Sequence, residues 1–246
     1  MSTEIHKSVR LGQNVTLAEN IVLKAGVVLG NDVTIGPGTI IYEETQIADH
    51  VTIGAQTVLG MWPKLAKSST ALAETSLAPL LVKCGASIGN QVIIYRGTSL
   101  AENVFVGDQV FIRDHVLIDK DVLLGRGVAI EQQVTIGSRT KVQTNAYITA
   151  HSSLAEDVFI APGVLTTNDN FMGRTEARFK QISGPTIKRG ARVGGGAILL
   201  PGITIAEETF VAASTVLTKD TVAGHLYMGT PGRQIRPVAK NERIYF

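Results

Sequence analysis

From Val82 to Ile160 an aliphatic residue returns at every sixth position, fourteen times in succession through Ile88, Ile94, Leu100 and onward. The same period opens the chain in nine positions from Leu11 to Leu59 and returns in six from Ile187 to Leu217. A helix has a period near 3.6 and a strand a period of 2, and neither selects every sixth residue, so the pattern predicts a stacked solenoid. Six residues cannot close a coil. Three short strands joined by tight corners can, which makes the coil eighteen residues and places each aliphatic column inside a triangular prism. The twenty-nine positions give an all-β parallel helix of about ten coils, about 45 Å long at a strand spacing of about 4.8 Å. Four residues after each aliphatic comes a second small or branched residue, such as Val15, Ile21 and Val27, the second inward position. The corners between carry Gly, Asn and Asp, which accept a left-handed backbone.

The period fails twice. From about 61 to 80 the chain offers no hexad and holds its one tryptophan, Trp62, followed by Pro63; from about 166 to 185 it is polar and charged. Both read as loops thrown out of a corner, long enough to carry function or to reach a neighbouring subunit. The chain therefore divides into N-terminal coils over 1–60, an insertion over 61–81, and a main β-helix over 82–246. The last of these ends in a short cap that covers the open final coil, and the whole is one continuous domain.

Few aromatics and much Ile, Val and Leu suit a narrow core of identical rungs. No apolar run approaches the ~20 residues of a membrane helix, and the first ten residues are polar, so the expectation is a cytoplasmic protein with no membrane partner. The single cysteine, Cys84, has no internal disulfide partner and no triad partner near it in sequence. The net charge of +2 is unevenly spread: residues 171–246 hold eleven Lys and Arg against five Asp and Glu. That basic end suits a small polyphosphate better than nucleic acid, because basic and aromatic residues are not interleaved.

Residues eighteen apart share a column. Gln133, His151 and Asp169 form one such series and Glu131, Thr149 and Thr167 another, both ending where the second loop leaves. A carboxylate one rung from His151 would orient the ring and favour its protonated form. Equally, a corner histidine is an ordinary solvated residue, and His115 occupies the same column away from the loop. A zinc hydratase would need three converging histidines. His6, His50 and His225 are scattered, and His115 and His151 lie two coils, about 10 Å, apart, so no metal is expected.

The hexads, together with Thr167-Asn168-Asp169, PTIKRGARVGGGAILLPGITI, VAASTVLTKD and GTPGRQI, resemble the hexapeptide-repeat acyltransferases, and among them the nucleotide-linked amino-sugar N-acetyltransferases. The resemblance implies a left-handed β-helix, a homotrimer with active sites between subunits, and acetyl-CoA lying along the cleft beside GGGA and VAAS. It also implies that the loop bearing Thr167, Asn168 and Asp169 borders the sugar. The same fold carries γ-class carbonic anhydrases and nucleotidyltransferase domains. The stretch TNAYITAHSS before the loop and the Trp62 insertion depart from the family pattern.

On that footing Glu131, His151 and Asp169 are the candidate catalytic residues, binding the sugar ammonium and moving its proton. Asn145, Thr167 and Asn168 are candidates for holding the acceptor. Gly195, Gly196 and Ala213 would leave backbone bare for the pantetheine arm, and Lys188, Arg189 and Arg233 would meet phosphates. An acceptor that is a non-sugar amine or a hydroxyl, and a scaffold without catalysis, are the competing readings.

Overall fold

The computed structural model describes residues 3–66 and 76–245; residues 67–75 of the first expected insertion lie outside the described residues. Nearly every hexad forms a two-residue strand, its first residue facing out and its second buried, as in Thr34–Ile35 and Leu123–Leu124. The chain then turns through a corner in which one residue takes a positive φ. Asn14, Asp121, His115 and His151 do so at +55°, +59°, +57° and +63°. Among residues with a side chain, Asn, Asp and His tolerate this region best, which gives the corners their composition.

As far as Val216–Leu217, successive strands fall on three parallel sheets in rotation. Face A holds eleven strands from Glu4–Ile5 to Val216–Leu217, face B ten from Arg10–Leu11 to Thr204–Ile205, and face C twelve from Thr16–Leu17 to Arg233–Pro237. Residues eighteen apart pair wherever the repeat is unbroken, as Ala129 with Tyr147 and Ile130 with Ile148. The expected coil number was slightly low. Glu4–Ile5 adds a strand before Leu11, Leu165–Thr166 keeps strand form although Thr166 is polar, and His225–Met228 adds another. Eleven rungs make the prism about 50 Å long.

The interior is a set of aliphatic ladders in which Ile94, Ile112, Ile130 and Ile148 are each wholly buried. Each contributes about 1.5–3 kcal/mol by leaving water, and no rung is stable without its neighbours. Buried threonines at the second inward position aim their hydroxyls at corner carbonyls, Thr39 at Gly54 (2.9 Å), Thr57 at Gly89 (2.9 Å) and Thr140 at Ala155 (2.7 Å). These three hydroxyls are thereby satisfied inside the prism, whereas those of the buried Thr45 and Thr215 have no hydrogen-bond partner among the described residues.

At the C-terminal end His225–Met228 pairs in parallel with Phe210–Val211, and Arg233–Pro237 then pairs antiparallel on its outer side. The tail does more than cap. It runs back along the prism, where the Glu208 carboxylate accepts the backbone N–H groups of Ile244 (2.7 Å) and Tyr245 (2.6 Å) and the Tyr245 hydroxyl donates to Asp157. Arg139 forks onto the same Asp157 at 2.8 and 2.6 Å, and this hydrogen bond is the main reason the Asp157 carboxyl titrates below its ordinary range.

Candidate functional site

Both interruptions leave the prism at one edge. Val58–Met61 and Leu165–Thr166 belong to face A, and the chain rejoins at Leu81–Val82 and Thr186–Ile187 on face B. Between the two exits lie four uninterrupted coils, whose face A strands are Ile93–Tyr95, Phe111–Ile112, Ala129–Ile130 and Tyr147–Ile148. The AB edge is therefore bounded by a loop at each end, five rungs or about 24 Å apart.

Two columns of side chains line this edge. In the first stand Tyr95, Arg113, Glu131, Thr149 and Thr167; in the second the corner positions His115, Gln133 and His151. Arg113 lies over the Tyr95 ring, 5.6 Å from its centroid, with Nε 3.1 Å from Asp114 and Nη1 3.7 Å from Glu131. The Glu131 side chain is about one-fifth exposed and so meets both Arg113 and solvent. Its other neighbour is Tyr147, whose phenol titrates above the ordinary tyrosine value, first because it is partly buried and second because Glu131 is charged. A carboxylate held between a cation and a phenol, with one side open, can accept a proton from an incoming amine and keep its position.

His151 lies one coil beyond Glu131 on the same edge, exposed at its corner, and its ring has no hydrogen-bond or ion-pair partner among the described residues. Asp169 is placed differently from expectation. One oxygen accepts the Phe171 N–H at 2.8 Å, the other accepts the Gly173 N–H at 2.9 Å and lies 3.2 Å from Arg178 Nε. These contacts, the Gly173 bond foremost, hold the carboxyl below its ordinary range. The loop thus captures the group expected to orient His151, because its oxygens meet the turn that follows within two to four residues. Asn168 stays on the edge: its Nδ2 reaches the Ala150 carbonyl at 3.5 Å, and its own carbonyl accepts the Ser183 N–H at 3.0 Å, which closes the neck of the loop. Thr167 bonds the Leu199 carbonyl at 3.1 Å through its hydroxyl.

The other candidates sit on other edges. Asn145, Gly195, Gly196 and Ala213 are corner residues of the CA edge, and Lys188 and Arg189 of the BC edge. Arg233 belongs to the exposed terminal strand. Asn145 precedes His151 by six residues, which in this fold is one whole side of the triangle, so nearness in sequence separates the two. Gly194 and Gly195 differ in kind. A Cβ on Gly194 would stand 2.5 Å from the Ala213 nitrogen and 2.8 Å from the Val211 oxygen, so that glycine serves coil stacking. On Gly195 it would meet only the Pro162 oxygen at 3.4 Å, which leaves the backbone bare beside open space. Arg189 is already engaged by Glu207 at 3.2 Å and by the Tyr245 ring at 4.7 Å, whereas Lys188 is exposed. Also on the BC side, Arg139, Lys141 and Arg192 line a hollow of about 270 Å³ that Glu242 and Ile244 of the tail partly close.

Reading by columns stopped short of Arg113 and Tyr147, which shape the Glu131 carboxylate most directly. The signal was present: Arg113 is eighteen residues before Glu131, and Tyr147 is the outward partner of Ala129. Among the described residues no group of three His, Cys, Asp or Glu could hold a metal ion, and no helix is long and apolar enough to cross a membrane. Cys84 is exposed and unbonded to another cysteine.

Residues 26–60 match the bacterial transferase hexapeptide family model of six repeats. Bifunctional protein GlmU of Shouchella clausii is 28% identical over 186 residues, which is 74% of this chain and 35% of that protein; the chain thus spans about a third of its curated relative. Among solved structures, LpxA, a UDP-N-acetylglucosamine acyltransferase from Bacteroides fragilis, superposes with a TM-score of 0.57 over 95% of this chain and 72% of that one at 16% identity. A maltose O-acetyltransferase from Clostridium difficile gives a TM-score of 0.41 at 22% identity over 55% and 70% of the two chains. Over residues 26–60 the repeat is thus that of the bacterial transferase hexapeptide model, and the fold is an all-β parallel solenoid like that of the Bacteroides fragilis protein.

Proposed function

We propose that the chain is an acyl-CoA-dependent N-acyltransferase, acetyl-CoA being the donor, and that the acceptor is a nucleotide-linked amino sugar held on the AB edge between the two loops. The observation that carries this reading is the Glu131 carboxylate, fixed between Arg113 and Tyr147 and open to the cleft, one coil from an unpaired His151. The acceptor nitrogen attacks the thioester carbonyl carbon, the carbon–sulfur bond breaks, and sulfur leaves with the electron pair. The proton lost by nitrogen passes to Glu131 or His151 and then to the thiolate, a leaving group of pKa about 8.5. In this reading Asn168, whose contacts to Ala150 and Ser183 close the neck of the second loop, holds sugar hydroxyls. The Bacteroides fragilis protein of the same fold is an acyltransferase named for a nucleotide-linked sugar, which supports the reaction class.

The donor groove fits the CA edge, where Gly195 leaves backbone bare. In one subunit that edge is a full face away from Glu131, so donor and acceptor meet only if the CA edge of one subunit lies against the AB edge of another. Face A suits such packing: its outward residues between the two edges include Val22, Ile40, Val58, Phe111, Leu165, Ile198 and Val216, a nearly unbroken apolar column. A closed threefold arrangement gives three equivalent shared sites. The test is a free-thiol release assay with acetyl-CoA and a panel of nucleotide-linked amino sugars, followed by subunit mixing. Glu131→Gln and Gly195→Trp proteins, each inactive, should recover activity when mixed and re-assembled. A fully active monomer, or release with no amine acceptor in the panel, overturns the reading.

A further inference from the structure

We infer that Trp62, at the mouth of the first insertion, is the platform on which the base of the acceptor nucleotide stacks. Resting on the nucleotide-linked acceptor reading, this adds an orientation: base toward the first loop, amino sugar toward the second. The strand Val58–Met61 runs two residues longer than Ile40–Ile41 and one longer than Ile93–Tyr95, the strands on either side, and through a bulge after Leu59 it brings Met61 beside Tyr95. That extension sets Trp62 against Arg96, whose guanidinium carbon lies 4.9 Å from the ring centroid.

Arg96 is pinned from behind. Its Nε donates to the Leu77 carbonyl (2.8 Å), its Nη1 to the Glu43 carbonyl (2.8 Å) and its Nη2 to the Glu44 carboxylate, leaving its side chain 7% exposed. One buried cation therefore ties the outgoing and returning ends of the insertion to the corner beneath, and one face of the indole lies against it. Trp62 itself is 37% exposed, so the face turned away from Arg96 meets solvent. A large aromatic ring held flat by a buried cation, with its other face open, is a preorganised stacking surface.

Its position on the edge selects the ligand. Trp62 and Glu131 are three rungs apart, about 14 Å, with Arg113 between them. In a nucleoside diphosphate sugar about ten bonds separate the base nitrogen from the sugar's anomeric carbon, which extended is about 12 Å, with the amine a little further on. The aromatic platform and the carboxylate are thus spaced as the two ends of such a molecule are.

The chain has a single tryptophan, so its fluorescence reports this ring alone. UDP, GDP and dTDP should be titrated into the protein, with ribose 5-phosphate as the control without a base. A saturable quench by a nucleoside diphosphate and none by ribose 5-phosphate is expected. Trp62→Ala should weaken nucleoside diphosphate binding by about 5- to 150-fold and raise KM for the acceptor in the same proportion, with KM for acetyl-CoA unchanged; Trp62→Phe should recover most of the loss. If nucleotide sugars are turned over but Trp62→Ala leaves KM unchanged, or if calorimetry shows a nucleoside diphosphate binding with no fluorescence change, the platform is wrong and the acceptor reading stands. If no nucleoside diphosphate binds by either method, both fall together.

Discussion

Thr166 occupies an aliphatic slot at the point where the second loop departs, and replacing it with valine isolates what its hydroxyl does. The residue is 1% exposed; its Oγ1 accepts the Thr149 N–H at 2.7 Å and donates to the Tyr147 carbonyl at 3.1 Å. In the coil before, the Glu131 N–H is taken by a backbone carbonyl, that of Ile148, whereas here the strand peels away early and the hydroxyl stands in. Valine keeps the shape and adds a buried methyl, a gain of about 0.8 kcal/mol. Against this, the Thr149 N–H, in a residue only 4% exposed, loses its acceptor, which costs about 1–3 kcal/mol, and the bond to Tyr147 contributes about 0.5–1.5 more. The net is a loss of about 1–3 kcal/mol, confined to the coils around the loop because a solenoid couples neighbours only. Native-state amide exchange reads it directly: the Thr149 amide should exchange about 5- to 150-fold faster in Thr166→Val, with core amides near Ile35 unaffected. Unchanged protection at Thr149, or a variant more stable than the parent, would refute the role of this hydroxyl.

Glu131→Gln should lower turnover by about 100-fold or more while hardly changing the melting temperature, because the Arg113 pair is a long 3.7 Å and Arg113 keeps Asp114; His151→Ala run beside it in the thiol-release assay shows which group carries the proton. Gly194→Ala should destabilise through the 2.5 Å approach to Ala213, visible in denaturant unfolding, whereas Gly195→Ala should fold normally and weaken coenzyme A binding by calorimetry. The Asp157 carboxyl is depressed in the folded state, so the stability it lends the tail is full above the ordinary carboxylate range and is lost as pH falls through its lower folded value. Proteolysis of the tail at residues 239–245 should therefore accelerate below about pH 4, and Arg139→Ala should move that onset upward.

The fold was legible because a period of six leaves no competing element, and the Ile94 to Ile148 ladder lies where counting put it. Edges were harder to read. A six-residue step advances one side of the triangle, so Asn145 and His151, close in sequence, stand on different edges, as do Gly195 and Asp169. The phase of the two interruptions carried the missing information: each follows a face A strand, so both had to open on one edge. The contacts of Asp169 were not legible, because its partners, the N–H groups of Phe171 and Gly173, belong to a turn that hydrophobic periodicity does not register. Nothing in the pattern announced the contact of Tyr245 with Asp157 across 88 residues.

Hydrogen–deuterium exchange of the protein with and without a turned-over nucleotide-linked amino sugar tests the acceptor site most directly. The expected result is protection confined to the AB edge, at residues 95–97, 113–115, 131–133 and 149–151, together with the second loop from Asn168 to Ser183. Protection centred instead on the BC hollow around Arg139, Lys141 and Arg192, with the AB edge unchanged, would contradict it.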